Sequence, residues 1–274
     1  MIDATLNLIE KDGLTADETK QPLAMERSIL DRTTIKVLIS LATLMSIGTA
    51  FAEEPERISV HSEGWELIGD LQIPKIPKIP KRVPAVLLLN KAAGNRHVYH
   101  EMAGHLTERG IASLRLDLRG HGDSTNLDRF VPYESDEATE IMIWGSEADV
   151  IAAHEFLKSH PQIDPDRIAI VGASYSGEEM AEAGRISGFA QAYVALSPGS
   201  FSEESIAAMD ASGVPWLFVV SRHERHLTDI AANVQSTTKS VEIVYLPGDA
   251  HATRILESRH DVAERVAVWL ASRL

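Results

Sequence analysis

Short apolar runs separated by segments of helical periodicity dominate the chain from about residue 57 onward. The segments 57–61 and 65–73 alternate apolar and polar residues around Ser62-Glu-Gly64, which predicts a β-hairpin. Continuous apolar runs predict buried strands at 84–89, 111–116, 167–171, 190–196, 215–220 and 241–246. Amphipathic spacing predicts helices at 98–109, 141–159, 177–187, 226–234 and 253–274.

This repeated alternation of strand and helix favours an α/β fold. We predict a mostly parallel twisted sheet of about eight strands, with helices on both faces and the antiparallel hairpin at one edge. The segment between residues 196 and 215 is too short for a separate lid domain, so residues 53–274 are predicted to form a single domain. Three Ile-Pro-Lys copies predict an exposed proline-rich loop at 73–84, and a docking motif for a partner is the alternative interpretation.

The apolar run at 37–52 indicates the cellular location of the protein. It is short and rich in Ser, Thr and Gly for a membrane span, it follows a basic segment at 27–36, and it ends in a small-x-small site at 50–52. These features predict a signal peptide that starts at Met25 and is cleaved after Ala52, with residues 1–24 as an upstream extension. The mature protein would be secreted or periplasmic, without a stable membrane anchor; an uncleaved N-terminal anchor helix is the alternative.

Composition narrows the function classes. A chain of 274 residues with 44% hydrophobic and 24% charged residues is typical of a globular protein that builds its own core. The net charge of −14 argues against nucleic acid or an anionic membrane surface as a partner. The absence of cysteine excludes disulfides and thiolate chemistry. No further ligands complete the pairs His97/His100 and His223/His226, and no glycine-rich phosphate loop follows a strand, so neither a metal nor a nucleotide cofactor is expected.

One predicted strand ends in a motif that carries chemistry. The segment GASYSG at 172–177 follows the apolar run 167–171 and precedes a helical segment. A serine on such a turn needs small residues two positions before and after it, and here these are Gly172 and Ser176. We therefore predict Ser174 as a nucleophile. An N-cap serine in an ordinary turn is the alternative interpretation.

A second motif strengthens the first. The segment LDLRGHGDS at 116–124, together with the turn at 172–177, resembles the α/β-hydrolase superfamily, in its lidless, dienelactone-hydrolase-like serine esterase branch. The namesake of that branch has a cysteine nucleophile, whereas this chain has serine. The resemblance covers roughly Glu66 to the C-terminus and implies an α/β-hydrolase fold. Within the 116–124 loop we expect Asp117 and Arg119 to pair with each other, and His121 to form a wall of the site.

The resemblance implies that serine, acid and histidine follow one another along the chain. His251 comes after the last apolar run and before the closing helix, where the superfamily carries its catalytic histidine. Glu224 follows the run 215–220, where superfamily members usually show Asp, and would orient the imidazole. The rival acids are Asp229, which falls in a predicted helix, and Asp249, which reads as a turn former.

The resemblance also implies an oxyanion hole built from backbone N–H groups. Tyr175 would supply one donor and Ala92 the other. The loop after the run 84–89 reads NKAAGN, whereas superfamily members often show His-Gly there. Because of this departure, an alternative is that Lys91 or Arg96 presents a cation to an acidic substrate.

The sequence thus predicts a serine hydrolase that cleaves carboxylic esters of small molecules through an acyl-enzyme, without a cofactor. Two alternatives stay open. In the first, the chain is a non-catalytic binding protein with the same fold. In the second, it is a peptidase or acyltransferase that uses the same residues. The natural substrate and the oligomeric state are not determined by the sequence.

Overall fold

The computed structural model describes residues 54–75, 82–125 and 145–274. The predicted N-terminal extension and signal peptide, the centre of the proline-rich loop and the start of the helix predicted at 141–159 lie outside these ranges. None of the helices in the described part is long and apolar enough to cross a membrane.

Eight strands form one sheet in the order β1-β2-β4-β3-β5-β6-β7-β8. The β1–β2 and β2–β4 pairs are antiparallel and all other pairs are parallel. The strands are β1 (Glu56–Ser62), β2 (Trp65–Gln72), β3 (Val83–Leu89), β4 (Ala112–Leu116), β5 (Ile163–Ala173), β6 (Ala192–Leu196), β7 (Trp216–Ser221) and β8 (Val241–Leu246). All seven residues of β3 are buried, as expected for a strand covered on both faces.

Helices cover both faces of this sheet. A 3-10 turn at Arg96–Tyr99 leads into the first helix, and the helices are α1 (His100–Glu108), α2 (Glu147–Ser159), α3 (Tyr175–Ser187), α4 (Glu203–Ser212), α5 (Arg225–Thr237), α6 (Arg254–Ser258) and α7 (His260–Ala271). Buried side chains of α2, α3, α4 and α5 join one hydrophobic core, and those of α1, α6 and α7 join the other. The predicted fold class is therefore confirmed.

Two helices differ from the sequence prediction. The helix predicted at 253–274 is broken at Arg259, whose backbone is extended (φ −142°, ψ 87°) and whose side chain pairs with Asp261. No glycine or proline marks this break, so periodicity alone gave no stop signal. Helix α4 was not predicted, although Ser202 caps it by accepting from the Ser205 N–H at 3.0 Å, and Gly213 ends it in the left-handed conformation.

Candidate active site

The turn between β5 and α3 holds Ser174 in a strained conformation. Its φ of 56° and ψ of −124° lie in a region that residues with a side chain rarely adopt. The Ser174 N–H donates to the Leu196 carbonyl of the neighbouring strand at 3.0 Å, which fixes the turn to the sheet. Such strain persists only where the surrounding structure enforces it, and it is a frequent feature of active sites.

The small neighbours of Ser174 are required by close packing. A Cβ atom on Gly172 would lie 2.6 Å from the Ser176 carbonyl oxygen and 2.9 Å from the Met180 sulfur, so no larger residue fits there. Ser176 is fully buried, and its hydroxyl accepts from the Ala173 N–H at 2.7 Å and lies 3.0 Å from the Ala173 carbonyl. The serine that replaces the usual glycine therefore bonds to the backbone of the turn itself.

Three side chains distant in sequence meet at the carboxyl edge of the sheet. His251 lies in the loop after β8, and its Nε2 is 3.0 Å from the Ser174 hydroxyl oxygen. Its Nδ1 is 2.7 Å from Oε1 of Glu224, which follows β7. The imidazole is 40% exposed, whereas the Glu224 side chain is only 8% exposed. The structure thus brings together the serine, histidine and acid predicted from the sequence.

Two further serines, which sequence reasoning missed, hold this arrangement. Ser197 directly follows β6, and its hydroxyl donates to Oε2 of Glu224 at 2.7 Å. Ser221 ends β7, its N–H donates to the same oxygen at 3.2 Å, and its hydroxyl donates to the carbonyl of Ala250 at 2.7 Å. The available signal was their position at the ends of consecutive parallel strands, because those ends meet at one edge.

The rival acids lie elsewhere. Asp229 is in α5 and lines a cavity of about 380 Å³ between α4 and α5. Asp249 lies in the loop after β8, two residues before His251. Glu224 is the carboxylate that contacts His251.

The predicted oxyanion donors come from two different segments of the chain. Tyr175 is the first residue of α3, and Ala92 lies in the loop after β3. That loop is closed by the Gly94 N–H, which donates to the Lys91 carbonyl at 2.9 Å, and Ala93 within it has a φ of 53°. The Lys91 ammonium donates to the Ala92 carbonyl at 3.1 Å. The role of the two N–H groups stays a prediction.

The 116–124 loop is held by different pairs from the one expected. Asp117 and Arg119 do not pair with each other. Asp117 instead accepts from both the backbone and the guanidinium of Arg96, and Arg119 forms a salt bridge with Asp149 at 2.7 Å. Sequence proximity suggested the wrong pairing, because both partners come from other elements. Arg96 is only 3% exposed and contacts three carboxylates, so the idea that it offers a free cation to substrate is wrong.

His121 lies beside the turn as a wall residue. Its ring stacks on Tyr175 with centroids 5.7 Å apart, and its Nδ1 is 2.9 Å from the Arg119 carbonyl. Burial lowers the pKa of His121 below its usual value, which favours the neutral ring. The stacked position of the ring indicates a packing role for His121 rather than a role in proton transfer.

No group of three or more metal-ligating side chains is arranged for a metal ion among the described residues. The arrangement that remains is a chain of contacts from a hydroxyl through an imidazole to a buried carboxylate. An imidazole in this position takes the hydroxyl proton as the oxygen attacks an electrophile, and the carboxylate stabilises the resulting imidazolium.

Comparisons with solved structures agree with the fold. The chain is similar to a dienelactone hydrolase from Anabaena variabilis (TM-score 0.64, 20% identity, covering 81% of this chain and 100% of that one). It is also similar to a 2,6-dihydroxy-pseudo-oxynicotine hydrolase (0.62, 17%, 88% and 72%) and to an esterase from Pyrococcus furiosus (0.57, 14%, 80% and 91%). The α/β-hydrolase fold implied by the two sequence motifs is therefore confirmed.

Sequence comparisons give little beyond this. Two uncharacterized proteins, from two strains of Mycobacterium tuberculosis, are each 34% identical to the chain over 134 residues. The match covers 49% of this chain and 41% of each relative, so it spans less than half of their length. No family model matches the chain.

Proposed function

We propose that the protein is a serine hydrolase that cleaves carboxylic ester bonds of small substrates. The observation that carries this proposal is the unbroken series of contacts from Ser174 through His251 to Glu224. The solved structures of similar fold include hydrolases and an esterase, which supports the same reaction class.

The reaction follows from the positions of these groups. His251 Nε2 takes the Ser174 proton while the serine oxygen attacks the ester carbonyl carbon, which gives a tetrahedral oxyanion. When this intermediate collapses, the leaving alkoxide takes the proton from Nε2 and the acyl group stays on Ser174. His251 then deprotonates a water molecule as it attacks the acyl carbonyl carbon, which gives a second tetrahedral intermediate. This intermediate collapses when Nε2 returns the proton to the Ser174 oxygen, so that the carboxylic acid leaves and the free serine is restored. Glu224 keeps Nδ1 protonated and oriented throughout.

The oxyanion would be held by the backbone N–H groups of Tyr175 and Ala92. The positive end of the α3 dipole beneath Ser174 favours negative charge at the same place. No step in this sequence needs a metal or an organic cofactor.

Hydrolysis of p-nitrophenyl acetate and labelling by a fluorophosphonate probe test this proposal. We expect both activities in the native protein and in Ser236→Ala, a matched serine substitution on the exposed surface of α5. Ser174→Ala should lose both activities. Unchanged hydrolysis by Ser174→Ala, or probe labelling at another residue, would refute the assignment.

A binding protein without catalysis is the second candidate, and the loop after β3 favours it. Asn90 and Lys91 occupy the place where the resemblance implies His-Gly, and the Lys91 ammonium donates a hydrogen bond to the loop backbone. Failure of the probe to react in folded protein would support this candidate. A panel of esters, amides and acyl acceptors would separate esterase from peptidase or acyltransferase activity.

We also propose that the protein is exported, with cleavage after Ala52. The apolar run 37–52 with its basic flank supports this proposal. Expression of the whole chain followed by N-terminal sequencing tests it, and the expected mature sequence begins at Glu53. A mature protein that retains residues 37–52 would contradict it.

A further inference from the structure

The two oxygens of the Glu224 carboxylate contact different partners. Oε1 contacts His251 at 2.7 Å, while Oε2 accepts from Ser197 and from the Ser221 N–H. The terminal torsion of a glutamate side chain has a broad energy minimum, so rotamer preference alone does not fix the plane of the carboxylate. The contacts made by Oε2, together with the contact of Oε1 with His251, therefore determine the direction in which Oε1 points.

Ser197 makes its contact from a costly backbone conformation. It is fully buried and has a φ of 45°, where glycine would be the unstrained choice. The Ser197 N–H donates to the Val219 carbonyl at 2.9 Å, which ties this strained position to β7. In this strained conformation the Ser197 side chain makes its hydrogen bond to Glu224.

We propose that Ser197 is a positioning residue, whose hydroxyl fixes the Glu224 carboxylate so that its other oxygen holds His251 in line with Ser174. The inference rests on the proposed function and adds a residue to it. Ser197 touches neither the substrate nor the reacting atoms in this scheme. It acts because a carboxylate free to rotate would hold the imidazole in a range of orientations, and only some of these accept the Ser174 proton.

Ser197→Gly is the most informative variant. Glycine tolerates the positive φ, and this relief of backbone strain offsets part of the lost hydrogen bond, so the variant should still fold while it lacks the hydroxyl. We expect kcat for p-nitrophenyl acetate to fall about ten-fold to a hundred-fold, the usual value of a hydrogen bond to a charged group, with KM changed by less than about two-fold. Ser113→Ala is the matched control. Ser113 is also fully buried, and its hydroxyl has no partner among the described residues, so its kcat should not change.

A double substitution separates positioning from a general structural effect. In a Glu224→Ala background, Ser197→Gly should change kcat by less than about two-fold, because the carboxylate that it positions has already been removed. Equal losses in the native and Glu224→Ala backgrounds would overturn the inference. A native-like kcat in Ser197→Gly alone would overturn it as well.

Proton NMR gives a readout that does not depend on activity. The Nδ1 proton of His251 should give a downfield resonance, which is assigned by its loss in His251→Ala. We expect this resonance to shift or broaden in Ser197→Gly and to stay unchanged in Ser113→Ala. If the native protein hydrolyses no ester but the resonance responds to Ser197→Gly, the proposed function fails and the positioning role stands. An unchanged resonance in folded Ser197→Gly refutes the positioning role, whatever the activity.

Discussion

Glu179 provides a quantitative test of the electrostatics beside the Ser174 turn. It lies on α3, is 8% exposed, and meets Glu147 at the first position of α2. Burial raises the pKa of Glu179 from 4.5 to about 9, with further contributions from Glu147, by charge and by a side-chain hydrogen bond, and from the charge of Glu178. At neutral pH the Glu179 carboxyl of the folded protein therefore retains its proton.

The raised pKa makes the free energy of unfolding depend on pH in a defined direction. Between pH 4.5 and 9 the unfolded chain has released the proton that the folded protein keeps, so stability falls as pH rises. The slope for one proton is about 1.4 kcal/mol per pH unit, which amounts to about 4 kcal/mol between pH 5 and pH 8. Glu179→Gln preserves the shape and a donor toward Glu147 but does not titrate, so it should remove this slope.

Urea unfolding followed by tryptophan fluorescence at pH 5, 6, 7 and 8 measures the effect. We expect Glu179→Gln to match the native protein within about 1 kcal/mol at pH 5 and to exceed its stability by about 4 kcal/mol at pH 8. Glu155→Gln, an exposed substitution on α2, serves as the control and should follow the native curve. Parallel curves for the native protein and Glu179→Gln would refute the argument that Glu179 is protonated in the fold.

Three further predictions test other parts of the structure. His154 is buried on α2 and burial lowers its pKa from 6.5 to about 4, so native stability should fall by about 3 kcal/mol as pH drops through that range. His154→Gln should flatten this part of a thermal-unfolding profile, and an unchanged slope would contradict the assignment. Gly172→Ala should cost about 1 to 3 kcal/mol and abolish probe labelling of Ser174, because its Cβ would meet the Ser176 carbonyl at 2.6 Å; normal labelling at native stability would contradict this. Ser176→Ala should cost about 1 to 3 kcal/mol in urea unfolding, because the buried Ala173 N–H loses its acceptor, while probe labelling stays within about two-fold of native. A large loss of labelling by soluble, folded Ser176→Ala would show that the hydroxyl serves the reaction.

Most of the fold was predictable because local patterns and global topology agree. The apolar runs coincide with strands, and β8 begins and ends at the predicted residues. The errors arose where tertiary packing overrides local pattern. Nothing in the sequence near Arg259 stops a helix, yet the chain is extended there. Strand β5 extends from Ile163 to Ala173 through Pro165, which local propensity would place in a turn.

Less of the candidate site than of the fold was predictable from the sequence. The positions of Ser174, Glu224 and His251 followed from motif order and from the ends of strands. Their supporting contacts did not, because they join residues that are unremarkable in sequence. Asp117 contacts Arg96 rather than Arg119, and Ser197 contacts Glu224, which lies 27 positions further along the chain. Neither contact has a local signature in the sequence.

Backbone strain points to the same edge of the sheet independently of any motif. Five non-glycine residues in the described part of the chain have positive φ, namely Glu63, Ala93, Ser174, Ser197 and Ala252. Glu63 belongs to the β1–β2 turn, where positive φ suits a tight hairpin. The other four lie in the loops after β3, β5, β6 and β8. Each costs conformational energy that glycine would avoid, and such costs persist where geometry serves function. A fold that only bound a ligand at its surface would gain nothing from Ser197 over glycine, whereas a site that must hold Glu224 against His251 gains its hydroxyl.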